Sequence, residues 1–530
     1  MKTTKPYMGS LGNITIILVG LILCSCIKPK VEELTNLEER VEKIINSIKE
    51  PIIPADTIDL IQYSGKQPDK NGTVDFHHYI NEAIDILSER GGGTLLFSHT
   101  WGLENWRKYP EVYRIKGAIE LKSNIELLID PSIILQFEFD PPSYLPNGKG
   151  VINRYEGSAI ISYSGLIRAF NAKNISIKAR TGGSGAPPEI RGDGFSWQKW
   201  SWDGQVRCKE EGREQFYNRI REVNHQSVPL KDRIFIDTEN DFFRPVTMEF
   251  FLCQNVLVDG IKISNSPFWC VHPVFSKDMI FRNMIFSSYG ANNDGIDPES
   301  SKNILIENIV FGNQDDNVAI KAGRDLDGRD GVDITGTLLE DIDSEYIVKN
   351  NLKGATENVI IRNCQFKGHY AVCIGSEMSG GVRNIFVINN SSIQDVNMGF
   401  FIKSSRKRGG GVENIYIDNL SLNIVEKDVI CIIPNYDNDS ISKFPPTFKN
   451  IHISNISARQ AKDGIRLYGW PDAVTQNVFL RNIQINSVRE KDLEVGNVED
   501  IELDNVTIKG KRFNGFNTVK DNKQSAPSQN

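Results

Sequence analysis

Three acids, a histidine and a lysine sit in short motifs at comparable places along the chain. They are Asp294 in "NNDGID" (292–297), Asp315 and Asp316 in "QDD" (314–316), His369 in "GHY" (368–370) and Lys403 in "FIK" (401–403). Carboxylates brought close together cannot all ionise cheaply, so such a group holds at least one proton at neutral pH. One protonated and one ionised carboxyl are what glycoside hydrolysis needs, the first for the leaving oxygen and the second for water. Any single Asp could equally cap a backbone corner, and a set of oxygens could hold Ca²⁺ for a lyase. The cluster as a whole points to acid/base chemistry.

These motifs must be carried by something that repeats. A pattern of Asn or Asp followed by alternating Ile, Val and Leu starts at Asn255, Asp278, Asn303, Asn358, Asn384, Asn414, Asn450, Asn477 and Asp500. The steps between starts are 23, 25, 55, 26, 30, 36, 27 and 23 residues, the 55 containing a long excursion around 323–346. Each unit reads as two short strands joined at an Asn or Asp-Gly corner. No unit has enough apolar surface to fold alone, but stacked coils bury one continuous column. The pattern therefore predicts an all-β, right-handed parallel β-helix, preferred to a sandwich or propeller because two-residue Asn-Gly hairpin turns are nearly absent. The motifs fall 10–19 residues past their coil starts. Coils are about 4.8 Å apart, so the acids, His369 and Lys403 should meet on one face within roughly 10 Å.

The rest of the chain sets bounds. It has 530 residues, 39% hydrophobic and 24% charged, with net charge −7, which excludes wholesale disorder and argues against a general nucleic-acid binder. Lys2 and Lys5 precede an apolar run, Ile14 to Cys26, too short to span a bilayer. Its end, Leu23-Cys24-Ser25-Cys26, resembles a bacterial lipobox, so residues 1–26 are expected to be a lipoprotein signal with Cys26 lipidated and the protein exported to the cell envelope. Residues 27–55 read as a tether with a short amphipathic helix, 56–517 as the β-helix domain and 518–530 as a polar tail. A helix within 74–97 should cap the first coil, and 140–240 should form long loops. Cys253, Cys364 and Cys373 sit among apolar residues and are expected to pack rather than cross-link.

The sequence resembles the polygalacturonase family, glycoside hydrolase family 28, from about Asp59 to Val506. The resemblance is carried by "RPVTMEFFLCQNVLVDGIKISNSPFWCVHPV" (244–274), "NNDGIDPESSKNILIEN" (292–308), "QDDNVAIKAGRDLDGR" (314–329) and "IGSEMSGGVRNI" (374–385). It implies hydrolysis of α-linked galacturonic acid in pectin with inversion, without metal or organic cofactor, by a protein expected to act as a monomer. It further implies Asp315 as proton donor, Asp294 and Asp316 as the pair that activates water, His369 as support for the donor, and Lys403 as a cation for a substrate carboxylate. Three positions depart from the family pattern: Phe401 stands for its Arg, Gln314 for a Gly and Tyr370 for a Gly.

Around these residues Asn292, Trp269, His272, Tyr370 and Arg406 are expected to bind substrate, with Arg406 or Arg408 compensating for the missing Arg and Tyr370 narrowing the site. Three alternatives stay open. One is a hydrolase of rhamnogalacturonan or another branched pectic region, another a non-catalytic glycan-binding lipoprotein, and the third the Ca²⁺-dependent lyase.

Overall fold

The computed structural model describes residues 28–68, 73–100, 110–182, 185–201, 213–347, 349–515 and 518–519. The expected signal segment with Cys26 lies outside them. The chain divides after Ser47 into two units, and the described part of the first is one helix, Lys28–Ser47.

The second unit is the expected β-helix. One ladder of parallel pairs runs Ile125, Ile175, Val256, Met279, Ile304, Val359, Ile385, Ile415, Ile451, Val478, Ile501, one residue per coil. All of these are buried, so each coil contributes its inward residues to a single apolar column. The Asn corners are what make the repeat readable. Asn124, Asn174, Asn255, Asp278, Asn303, Asn358, Asn384, Asn414, Asn450 and Asn477 all hold φ between 54° and 63°, a left-handed conformation that Asn and Asp tolerate better than other side chains. Their amides bond coil to coil, as in Asn358 Nδ2 to Asn303 Oδ1 (2.9 Å) and Asn477 Nδ2 to Asn450 Oδ1 (2.8 Å). Asp278 interrupts this ladder: it accepts from Asn303 Nδ2 at 2.9 Å, but it has no N–H to offer Asn255, whose buried Oδ1 finds no donor.

The helix His77–Glu89 covers the first coil with Ile80, Ala83, Ile84 and Leu87, a stripe of helical period. At the far end the strand Val498–Ile508 pairs antiparallel with Lys511–Phe513 and with Thr518–Val519. The region 140–240 is more ordered than long loops. It contains the hairpin of Val151–Tyr155 and Ser158–Ser162, strands of the body at Ile167–Phe170, Lys173–Ala179 and Glu189–Arg191, and the helix Arg213–His225.

These additions are bonded to the excursion that follows Ile320. Gly157 in the hairpin turn accepts from the Arg324 backbone N–H at 2.9 Å. Buried ion pairs Arg154–Glu299 and Arg233–Asp327, both 2.7 Å, fasten the hairpin and its neighbours to the body.

Candidate active site

Four successive coils place the motif residues. Val271, Ile296, Val318, Val372 and Phe400 form one inward row. One residue beyond it lies an outward row, Asp297, Ala319, Cys373 and Phe401, and three beyond it a second, Glu299, Lys321, Gly375 and Lys403. Asp294, Asp316 and Tyr370, two residues before it, form a further row where the backbone alternation is irregular. Asp315 and His369 precede Asp316 and Tyr370, at the edge where each strand begins. The structure thus brings together all five residues singled out for chemistry.

Asp316 is the centre of the group. His369 Nδ1 lies 2.8 Å from its Oδ1, Lys403 Nζ 3.2 Å from its Oδ2, and Cys373 Sγ donates to Oδ2 at 3.3 Å. Burial alone would raise the acid, but Lys403 and His369 outweigh it and hold Asp316 well below the usual carboxylate range. His369 also stands 3.2 Å from Asp315, and although burial opposes its charge, bonding to the two acids lifts it to about 9. Asp294 behaves oppositely. Burial first, then repulsion from Asp297, Asp315 and Asp316, pushes it well above the ordinary carboxylate range. Asp297 is raised by burial, which Lys321 at 3.8 Å only partly offsets. An ionised Asp316 beside a proton-holding Asp294–Asp297 pair is the asymmetry that acid/base catalysis requires.

Asp315 is the accessible acid. Its side chain is 27% exposed against 3% for Asp316, and with His369 it lines a cleft of about 1020 Å³ bordered by Tyr289, Gln314, Lys367 and Asn397. Asn292 donates its backbone N–H to Asp315 Oδ2 at 2.8 Å, so it orients the acid. Asp315, Asp316 and His369 offer donor atoms within 4.8 Å of one another, close enough for a metal ion, but the ammonium of Lys403 already supplies positive charge at Asp316.

Several expected substrate contacts are corrected. Trp269 is 2% exposed, stacked on Phe268, with Lys321 Nζ 4.9 Å from its ring: it supports the site from below and cannot meet a sugar. His272 is fully buried and bonded to Glu299 at 2.9 Å. Tyr370 is folded into an outer apolar cluster with Phe401, Met398, Cys431 and Trp470, stacks on His369 at 3.8 Å, and so does not narrow the cleft. Phe401 is wholly buried there, and its replacement of an Arg changes packing instead of offering a new sugar face. Arg406 is committed to Asp472 by two bonds of 2.7 and 2.8 Å. Arg408 is buried on Asp325 and Glu377 (3.3 and 3.4 Å). Lys403 lies against Asp316, so its first role is electrostatic.

The residues that sequence reasoning missed are Asp297, Lys321 and Glu377. Lys321 bridges Glu377 (3.3 Å), Asp297 (3.8 Å) and Asp294 (3.9 Å), and Glu377 also draws in Arg324 at 3.7 Å. Asp297 could have been found by counting from inward Ile296; Glu377 could not, because its partners come from other coils. The five described cysteines, Cys253, Cys270, Cys364, Cys373 and Cys431, are buried and free, in keeping with packing roles.

Comparison with known proteins gives the chain its relatives. The model of "Glycosyl hydrolases family 28" matches residues 238–505. A probable polygalacturonase of Vitis vinifera is 27% identical over 46% of this chain and 47% of its own. A polygalacturonase of Ralstonia nicotianae is 25% identical over 66% of this chain and 61% of its own. The chain thus spans about half to three fifths of the length of these curated relatives. Among solved structures, a hyperthermoactive exopolygalacturonase from Thermotoga maritima superposes with a TM-score of 0.75 at 30% identity, over 91% of this chain and 99% of the other.

Proposed function

The chain belongs to glycosyl hydrolases family 28, and from that premise we propose that it hydrolyses α-galacturonate linkages in pectin, removing units from chain ends. The observation that carries this reading is the Asp315–His369–Asp316–Lys403 constellation, whose Asp315 and His369 line the cleft. Asp315, the acid that reaches the cleft, gives its proton to the glycosidic oxygen as the anomeric carbon–oxygen bond breaks. Water attacks the anomeric carbon and loses a proton to Asp316, which Lys403 and His369 keep ionised until then. Asp294, which holds a proton, orients this water by hydrogen bonding and leaves Asp316 to take the proton.

The donor atoms of Asp315 and Asp316 lie within 4.8 Å, closer than the roughly 6.5–9.5 Å of a typical inverting pair. Asp316 is nevertheless 2% exposed and bonded through both oxygens, which leaves it poorly placed to form a covalent sugar bond. That supports water attack and inversion. Action at chain ends is supported by the hairpin 151–162 and the excursion after Ile320, bonded together beside Arg324, and by likeness to an exopolygalacturonase.

Purified protein incubated with oligogalacturonates should release saturated monogalacturonate, with the β-anomer appearing first by proton NMR. Unsaturated products would overturn hydrolysis, and an initial α-anomer would overturn inversion. Turnover of rhamnogalacturonan oligomers alone would move the substrate to the branched pectic regions. The Leu23–Cys26 box supports export and lipidation at Cys26, which labelling with a fatty-acid analogue and loss of label in Cys26→Ala would test.

A further inference from the structure

We infer that Arg244 is a positioning residue for Asp315, acting through the turn at Ala291–Asn292. This rests on Asp315 being the proton donor. Asp315 precedes the strand Val318–Ile320, so no ladder pairing holds it in place. Its side chain is held instead by the preceding coil: Asn292 N–H donates to Oδ2 at 2.8 Å, and the Asp315 backbone N–H bonds to Asn293 Oδ1 at 3.2 Å. Asn292 turns the chain at φ 56°, a left-handed conformation that Asn tolerates, so what fixes the turn is bonding of its Ala291 carbonyl and Asn292 amide from outside.

Arg244 supplies that support. It is fully buried, donates to Ala291 O and to Asn292 Oδ1 at 2.7 Å each, and lies 4.9 Å from the Phe268 ring. Gln198 braces the same turn by donating to Ala291 O at 3.2 Å. Among the described residues every acceptor Arg244 meets is neutral: the carbonyls of Pro267 and Ala291, the amides of Gln198 and Asn292, and the phenols of Tyr217 and Tyr155. A buried guanidinium without a carboxylate is costly to maintain. Packing alone would be served as well by a neutral side chain, whereas the planar fork can grip two adjacent oxygens of one turn at once. Because Gln198 and Tyr217 come from the region 140–240, those additions to the body also fix the orientation of the acid.

Arg244→Met keeps the bulk and loses the fork. On digalacturonate, a poor leaving group, its turnover should fall about 100-fold with KM little changed. On a 2,4-dinitrophenyl galacturonide, which departs without a proton, the fall should stay below about threefold. Arg244→Lys should restore part of the loss. Asn292→Gly, which keeps the backbone N–H and tolerates the positive φ, should show the same leaving-group pattern more weakly and serves if Arg244→Met does not fold. Equal losses on both substrates, or a change in KM alone, would overturn the inference. Asp315→Asn is the reference: if it too lacks leaving-group dependence, the donor assignment fails and the role of Arg244 falls with it. Wild-type inactivity on every galacturonide would instead overturn the proposed function.

Discussion

Lys403 Nζ lies 3.2 Å from Asp316 Oδ2, joining residues 87 positions apart on coils separated by that of His369. Its ammonium, 7% exposed in a surround that includes Tyr370, Phe401 and Tyr436, compensates a buried carboxylate at short range. Lys403→Met should therefore lower kcat by tenfold or more while changing KM little. The acidic limb of the pH–rate profile should move to higher pH, because Asp316 loses the cation that keeps it ionised. A rise in KM alone would return Lys403 to uronate binding.

Asp315→Asn removes the donor without altering its shape. Turnover of oligogalacturonates should drop by about 10²–10⁴ with binding nearly intact. Steady-state kinetics together with calorimetric titration of an oligomer would check both halves of this expectation.

His369, lifted to about 9 from an ordinary 6.5, couples charge to folding. A histidine raised in the folded state adds stability that is complete below its unfolded pKa and disappears as pH rises through the folded one. The melting temperature of wild type minus that of His369→Gln should consequently shrink between about pH 6.5 and 9. A constant difference would mean that His369 is not protonated in the resting protein.

Phe401→Arg would restore the residue type the family pattern carries, but at a wholly buried position. A guanidinium there would be shut off from solvent and close to the ammonium of Lys403, 5.6 Å from the Phe401 ring centroid, so destabilisation of about 3 kcal/mol or more is expected. Thermal denaturation would reveal it, and improved affinity for galacturonate in a stable variant would contradict the packing role.

Asp278→Asn should repair the corner ladder. An amide there can donate to Asn255 Oδ1 while still accepting from Asn303, and satisfying that buried oxygen outweighs the long 3.3 Å bond Asp278 Oδ2 accepts from Gln254, for a net gain below about 1 kcal/mol. The denaturation midpoint should rise and kinetics should stay unchanged.

What could be read before folding was what repeats. Asn at each corner, with alternating Ile and Val after it, encodes a coil because both the left-handed φ and the amide ladder call for that residue, and the acids follow their corners within the same coil. Burial on the outward face could not be read this way. Period two makes Phe401 outward but would turn Tyr370 inward with Val372; both lie in the outer cluster and are still covered, because Tyr436 and Trp470 arrive from later coils. Trp269 and His272 resembled sugar contacts by type, but the chain beneath the acids encloses them. Glu377 gained its partners from Lys321, Arg324 and Arg408, whose convergence depends on how separate turns bend back over the sheet.

A stack of parallel coils would end in a row of open backbone groups, ready to template a second molecule into a growing fibre. Here the strand Val498–Ile508 meets chain running the other way, at Lys511–Phe513 and again at Thr518–Val519. The reversal breaks the parallel register that another copy would need in order to continue the column, so these two reversed segments work against head-to-tail polymerisation.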